Sequence, residues 1–350
     1  MAFLTVKGVR IAGLAAAVPS TVEENCSLPI FAPGEYEKFV ASTGVVRRHV
    51  SQKLLSSDLC VAAGEKMLGD LGWEKASIDG LVVVTQCPDY YRPGNATLVQ
   101  GRLGLSKECA AVSLSFGCSG WVYGLQTAAS LVASGLKRVL LCCGEGIQAY
   151  SPLDKSSYPL FGSAGTCTAL EADDSAAPLN FHLGTDGSGW KAIHIPDGGY
   201  RNPPTAKSSE VEEFEGGLKR TRLNVALDGM DVFTFGISQP PKSIKALMTQ
   251  FSLSLETTDY LLLHQANMFL NNKICKKIAC PPEKAPHNIE DFGNSSSATL
   301  PLLMVTRLKS ELETKPLKCV GCAFGVGLSW GSVYFETAMP KVSELVLVEE

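Results

Sequence analysis

Ala111-Val112-Ser113-Leu114-Ser115-Phe116-Gly117-Cys118-Ser119-Gly120-Trp121 runs on into Val122-Tyr123-Gly124-Leu125-Gln126-Thr127-Ala128-Ala129. An apolar stretch of period-two character breaks at Gly117, Cys118 and Gly120, and small and apolar residues then recur at helical spacing through Ser134-Gly135. The pattern predicts a strand, a sharp turn and a long buried helix. Cys118 falls at the helix start, where free backbone N–H groups and the positive dipole end favour a thiolate. Gly117 and Gly120 leave room for a carbonyl to approach the sulfur and for backbone amides to meet an oxyanion. A buried structural cysteine is the competing reading, since free Cys is among the most buried residue types.

Working outward, strands and helices alternate. Strands are predicted at Val9 to Val18, Leu81 to Thr85, Cys109 to Phe116, Lys137 to Cys143 and Thr166 to Leu170; Ser56-Ser57-Asp58 opens an amphipathic helix through Leu71. Asn25 to Ala41 is helical in pattern but interrupted by Pro29 and Pro33-Gly34. Fully apolar strands imply a mostly parallel sheet covered on both faces, hence an α/β fold. A polar connection at Glu171 to Pro178 divides the chain into halves 1–175 and 176–350. The second half repeats the order: a helix begins at Asp231 and is interrupted at Pro240-Pro241, a buried strand runs from Thr257 to Leu263, a helix spans Met268 to Ile278, and two strands lie between Leu317 and Phe335.

Composition narrows the function. A chain of 350 residues with 45% hydrophobic and 19% charged residues is long enough to bury a large core. A formal net charge of −4 argues against a general nucleic-acid or membrane-surface role. The N-terminus lacks a signal-peptide pattern, and no apolar run approaches the ~18 residues of a membrane span, so a cytoplasmic protein is expected. Twelve cysteines, several inside apolar runs, suit a reducing compartment. Cys319-Val320-Gly321-Cys322 has no second ligand pair, and in an extended segment its cysteines point to opposite faces, so no metal is expected.

A cysteine nucleophile needs donors for the carbonyl oxygen and a group to manage its proton. Of five histidines, only His264 ends a predicted strand and precedes a helix; Asn294 sits in a Gly/Ser-rich turn. Taken alone, His264 reads more simply as a satisfied core or surface histidine and Asn294 as a helix cap.

Together these motifs resemble the β-ketoacyl-acyl carrier protein synthase III family of the thiolase superfamily. The resemblance rests on Gly117-Cys118-Ser119-Gly120, His264-Gln265-Ala266-Asn267, Gly293-Asn294-Ser295-Ser296 and Phe324-Gly325-Val326-Gly327-Leu328-Ser329-Trp330-Gly331-Ser332, in this order and at these separations. Thr43-Gly44-Val45-Val46-Arg47-Arg48, Phe161-Gly162 and Asp186-Gly187-Ser188 extend it over essentially the whole chain. It implies a five-layered α/β/α/β/α thiolase-like fold of two pseudo-equivalent halves, a homodimer, and an acyltransferase that works with thioester substrates and no cofactor. Cys118 would take an acyl group from an acyl thioester. His264 and Asn294 would hold the carbonyl of malonyl-acyl carrier protein through decarboxylative Claisen condensation, and the amide of Cys118 and one from Gly325-Val326-Gly327 would serve the acylation oxyanion.

The departures carry information. Val326 replaces the middle of a glycine triplet, and a β-branched residue resists positive φ. Lys38 and Ser42 occupy the places of a Trp and an Arg that sandwich adenine in relatives primed by acyl-CoA, which weakens the expectation of a CoA-borne primer. Phe324 is expected at the pocket with the loop that follows it, and Arg92 stands where a Phe from one subunit commonly closes the partner's acyl pocket, so a longer, polar or differently shaped acyl group is expected. Lys273, Lys276 and Lys277 share a face of the helix after His264 and suit an acidic acyl carrier protein, although the family's usual docking Arg is here Phe269. The departures suggest a specialised pathway more than housekeeping fatty acid initiation. Two other readings stay open: an acyltransferase that passes the acyl group to an alcohol or amine, and a non-catalytic partner subunit of a heterodimeric synthase.

Overall fold

The computed structural model describes residues 2–350. In chain order the long strands are β1 (Ala2–Val6), β2 (Val9–Pro19), β3 (Gly80–Val84), β4 (Ala110–Leu114), β5 (Arg138–Glu145), β6 (Ala164–Ala172), β7 (Leu179–Thr185), β8 (Tyr260–Leu263), β9 (Lys318–Gly325) and β10 (Ser329–Glu336). The main helices are α1 (Ser56–Leu71), α2 (Asn95–Leu103), α3 (Gly120–Ala133), α4 (Gly229–Gln250), α5 (Met268–Ile278) and α6 (Thr299–Arg307).

Two sheets share one pairing plan. The first runs β2-β6-β5-β3-β4 and the second β7-β10-β9-β8; with the edge strand β4 set aside, in each the first strand pairs with the fourth, the fourth with the third and the third with the second. In both, the second and third strands are parallel and the other two shared pairings antiparallel. The sheets are therefore mixed rather than mostly parallel. Parallel strands need a crossover element, and between β5 and β6 the only helical segment is the three-residue turn Tyr158–Leu160. The ends of the chain cross over: β1 pairs with β7 of the second sheet, while Lys341–Val342 and Val346–Val348 add to β2 of the first.

Burial defines five layers. One apolar cluster joins Val82, Val84 and Leu141 of the first sheet to Phe181, Ala323 and Val333 of the second through Trp121, Val122 and Leu125 of α3 and Leu300, Leu302 and Leu303 of α6. The outer face of the first sheet packs on α1 and α2 through Leu81, Val83, Ala63, Met67 and Val99. The outer face of the second packs on α4 and α5 through Leu261, Leu263, Ile244, Leu247 and Ile274. The order is α/β/α/β/α, and α3 is buried between the sheets because it is apolar around most of its circumference.

Two helical expectations change. α4 continues through Pro240 and Pro241, both buried, although each removes a backbone donor. Packing on the second sheet and the Asp228 cap, which accepts from Met230 N and Asp231 N at 3.0 Å each, hold it together. In Asn25 to Ala41 only Glu35–Thr43 is α-helical, bounded by Gly34 and Gly44 at φ 79° each. Cys319 belongs to the central apolar cluster and Cys322 to the outer one, so the two thiols of the CxxC face opposite sides of β9.

Candidate active site

Cys118 sits between β4 and α3, where the turn is closed by Gly120 N donating to Gly117 O at 2.7 Å. Ser119 Oγ is 2.7 Å from Ser329 Oγ, and Ser329 Oγ donates to Val326 O at 2.6 Å, tying the start of α3 to the loop after β9. That loop approaches so closely that a Cβ on Gly325 would lie 2.6 Å from Cys118 Cβ and 2.8 Å from its Sγ. Only glycine fits there. The amides of Cys118 and Val326 both aim at the sulfur. Val326 does not occupy positive φ; Gly327 does, at 139°. The β-branched side chain is therefore accommodated without left-handed strain.

The thiol differs from expectation. Cys118 is buried, and burial pushes it up to about 11 despite the two amides and the Ser296 hydroxyl that favour the thiolate. Desolvation outweighs the helix start, so the resting group is a thiol.

His264 follows β8, with its amide donating to Cys322 O at 2.8 Å. Its ring is buried, meets the Phe324 ring edge-on at 5.6 Å between centroids, and lies with Nδ1 2.8 Å from Thr299 Oγ1. Burial holds its pKa down to about 3, so it is neutral at physiological pH. The Thr299 hydroxyl is also 3.0 Å from Ser296 O, and its single proton serves one of the two acceptors at a time.

Asn294 follows Gly293, whose φ of 59° and whose crowding by Leu160 O, 2.6 Å from a would-be Cβ, demand glycine. The main chain of Asn294 is anchored on both sides: its N donates to Leu160 O at 2.9 Å, and its O accepts from Gly162 N at 3.1 Å. Side-chain Oδ1 accepts from Ser296 N at 2.8 Å, which fixes the carboxamide and leaves Nδ2 as its free donor.

Cys118, Ser296 and Val326 line one cavity of about 340 Å³, shared with Gln86, Glu145 and Tyr150. Glu145 ends β5, is buried, and accepts from Ser297 Oγ at 3.0 Å; burial raises its carboxyl to about 7. Glu145, Ser296 and Thr299 escaped the reading of the chain. Ser296 lay within the Gly-Asn-Ser-Ser motif, and Gly144-Glu145-Gly146 at a strand end was a visible signal for Glu145.

Other expected residues lie apart. Arg92 is exposed, with its guanidinium 5.9 Å from the Tyr200 ring centroid, away from the cavity lining of its own chain. Lys273, Lys276 and Lys277 are exposed on α5. Lys273 lies over the Phe269 ring, and Lys277 Nζ donates to Ile237 O at 2.8 Å.

Two family models match this chain: 3-oxoacyl-[acyl-carrier-protein] synthase III over residues 113–187, and the C-terminal part of the same family over residues 248–337. The β-ketoacyl-[acyl-carrier-protein] synthase III of Streptococcus equi subsp. equi is 32% identical over 332 residues, covering 93% of this chain and 98% of its own. That of Rhodopirellula baltica is 30% identical over 351 residues, covering 94% and 98%. The crystal structure of a 3-oxoacyl-(acyl-carrier protein) synthase from Burkholderia xenovorans LB400 superposes with a TM-score of 0.93 at 34% identity, covering 100% of this chain and 99% of that one. A Cys at the start of the central helix, a His at the end of β8 and an Asn in an anchored turn thus stand on the fold of these relatives, and the chain belongs to the β-ketoacyl-acyl carrier protein synthase III family of condensing enzymes.

Proposed function

We propose that this protein transfers an acyl group from a thioester to Cys118 and condenses it with a decarboxylating malonyl thioester carried on acyl carrier protein. The observation that carries the reading is the convergence of the Cys118 turn, the anchored Asn294 turn and the Gly325-Val326 loop, with His264 bridged to the Asn294 turn through Thr299. In the first half-reaction Cys118 attacks the thioester carbonyl and the amides of Cys118 and Val326 stabilise the oxyanion. In the second, Asn294 Nδ2 and His264 Nε2 donate to the malonyl thioester oxygen, and the enolate left by loss of CO2 attacks the acyl-cysteine. Two neutral donors suffice for this without a metal, provided that Thr299 donates to Nδ1 and so keeps the proton on Nε2.

We read the chain as two equivalent halves meeting near residue 175, and the enzyme as a homodimer. Tyr90, Tyr91 and Tyr200, 62%, 77% and 84% exposed beside Arg92, form an aromatic patch suited to a second copy. Lys273 and Lys276 would meet acyl carrier protein.

Intact-protein mass spectrometry with a panel of acyl-CoAs and acyl-carrier proteins tests this. An adduct absent from Cys118→Ala and discharged by malonyl-acyl carrier protein with release of a ketoacyl product is the expected result. An adduct that the malonyl thioester cannot discharge would replace condensation with simple acyl transfer.

A further inference from the structure

Acylation of Cys118 leaves one proton unassigned. The thiol is pushed up to about 11, so at neutral pH the nucleophile has to lose its proton as it attacks. The condensation proposed above requires His264 to present Nε2–H to the malonyl oxygen, and in that tautomer it offers the thiol no lone pair at Nε2.

Glu145 lines the same cavity as Cys118 and Ser296. Its Oε1 accepts from Ser297 Oγ at 3.0 Å and, more weakly, from Gln86 N at 3.4 Å. The Ser296 hydroxyl donates to Cys118 Sγ at 3.8 Å and lines the same cavity as Glu145, whose carboxylate it favours. A hydroxyl both donates and accepts, so it can link the two. Ser296 holds this place at φ 49°, a conformation that disfavours side chains other than glycine and is found where the surroundings impose it. The titratable groups around Glu145 are Cys87, Cys118, Cys143 and Tyr150, with His194 also lining the cavity. None of these is a fixed cation, so the carboxyl is poised near neutrality, at about 7, rather than locked as a carboxylate.

We propose that Ser296 and Glu145 form a proton relay for Cys118, an assignment that rests on the acyl-enzyme reading above. As the bond from Cys118 Sγ to the thioester carbonyl carbon forms, the thiol proton passes to Ser296 Oγ and the Ser296 hydroxyl proton to the Glu145 carboxylate. The tetrahedral intermediate then collapses, the carbon–sulfur bond to the departing thiolate breaks, and Glu145 returns a proton through Ser296 to that thiolate. One thiol and one thioester become one thioester and one thiol, with no change in redox state.

The test is the rate of acyl-enzyme formation, followed by rapid mixing and intact mass between about pH 5.5 and pH 9, where a base with a pKa near neutrality shows its inflection. In the wild-type protein the rate rises through about pH 7 and then levels, as Glu145 ionises. Glu145→Gln keeps an acceptor for Ser297 but cannot take a proton; it is expected to lose about 10²-fold in rate and the inflection with it. Ser296→Gly suits the positive φ and removes only the hydroxyl. It should fall comparably, and the double variant no further than either single one. A wild-type rate and inflection in Glu145→Gln would overturn the relay, as would disappearance of the inflection in His194→Gln instead. An equal fall in acylation and in discharge of preformed acyl-enzyme by malonyl thioester would also overturn it, since that marks a disturbed site. Wild-type protein that accepts no acyl group from any thioester would remove the acyl-enzyme reading itself, and the relay with it.

Discussion

A neutral histidine donates from Nε2 when Nδ1 carries the lone pair, a tautomer favoured by a hydrogen-bond donor at Nδ1, and at His264 the hydroxyl in place is that of Thr299, 2.8 Å away. Thr299→Val keeps the side-chain shape and removes that proton. On our reading it spares acylation of Cys118 and slows malonyl decarboxylation by about tenfold, less than loss of a whole oxyanion donor costs; separate assays of the two half-reactions check this. Glu145 makes a second prediction at this scale. Its folded pKa, about 7, exceeds the ~4.3 of an exposed glutamate, so the folded state holds the extra proton and stability falls as pH rises between those values, by about 4 kcal/mol in all. Glu145→Gln lacks this loss. Its melting temperature, measured relative to wild type, should therefore climb from pH 5 to pH 8. His264 acts in the opposite sense: its depressed pKa makes stability fall as pH drops below the unfolded value of ~6.5, and comparing the two proteins cancels that contribution.

Among elements, contacts between α1 and β6 are the least forgiving. A Cβ on Gly165 would stand 2.3 Å from Leu59 C and 2.5 Å from Cys60 N, which are main-chain atoms of α1 and cannot swing aside. Gly165→Ala is expected to destabilise the fold by about 3 kcal/mol or more, beyond the usual cost of overpacking against mobile side chains. Chemical denaturation would reveal the loss, and a change below about 1 kcal/mol would show that α1 moves freely on the sheet. Elements were also where the chain was most readable: α5 spans Met268–Ile278 as its spacing indicates, and the apolar runs at Leu81 and Lys137 form β3 and β5. α4 was less readable, because its two prolines argue locally for a break while burial against the second sheet holds the helix through them.

Over the whole molecule, a central layer shared by both sheets and terminal strands exchanged between them make the two topological repeats one cooperative body. Calorimetry is expected to give a single transition. The carrier-protein docking proposed for the basic face of α5 belongs to this scale too. Replacing Lys273 and Lys276 by Glu should raise KM for carrier-protein substrates by about tenfold at low salt, with a smaller penalty at high salt and for CoA thioesters. An equal penalty for both substrate types would place the effect elsewhere than in docking.

The amino-acid sequence by itself determined the alternation of strands and helices, the turn that presents Cys118, the strand-end position of His264 and the turn around Asn294. Each of these is written in local periodicity, in glycine placement or in a short motif. Tertiary structure alone decided that Cys118 is a thiol rather than a thiolate, that Thr299 faces His264, and that Glu145 and Ser296 stand beside the sulfur. Those properties depend on desolvation and on contacts between residues far apart in the chain, such as the 178 positions between Ser296 and Cys118, and no local pattern encodes them.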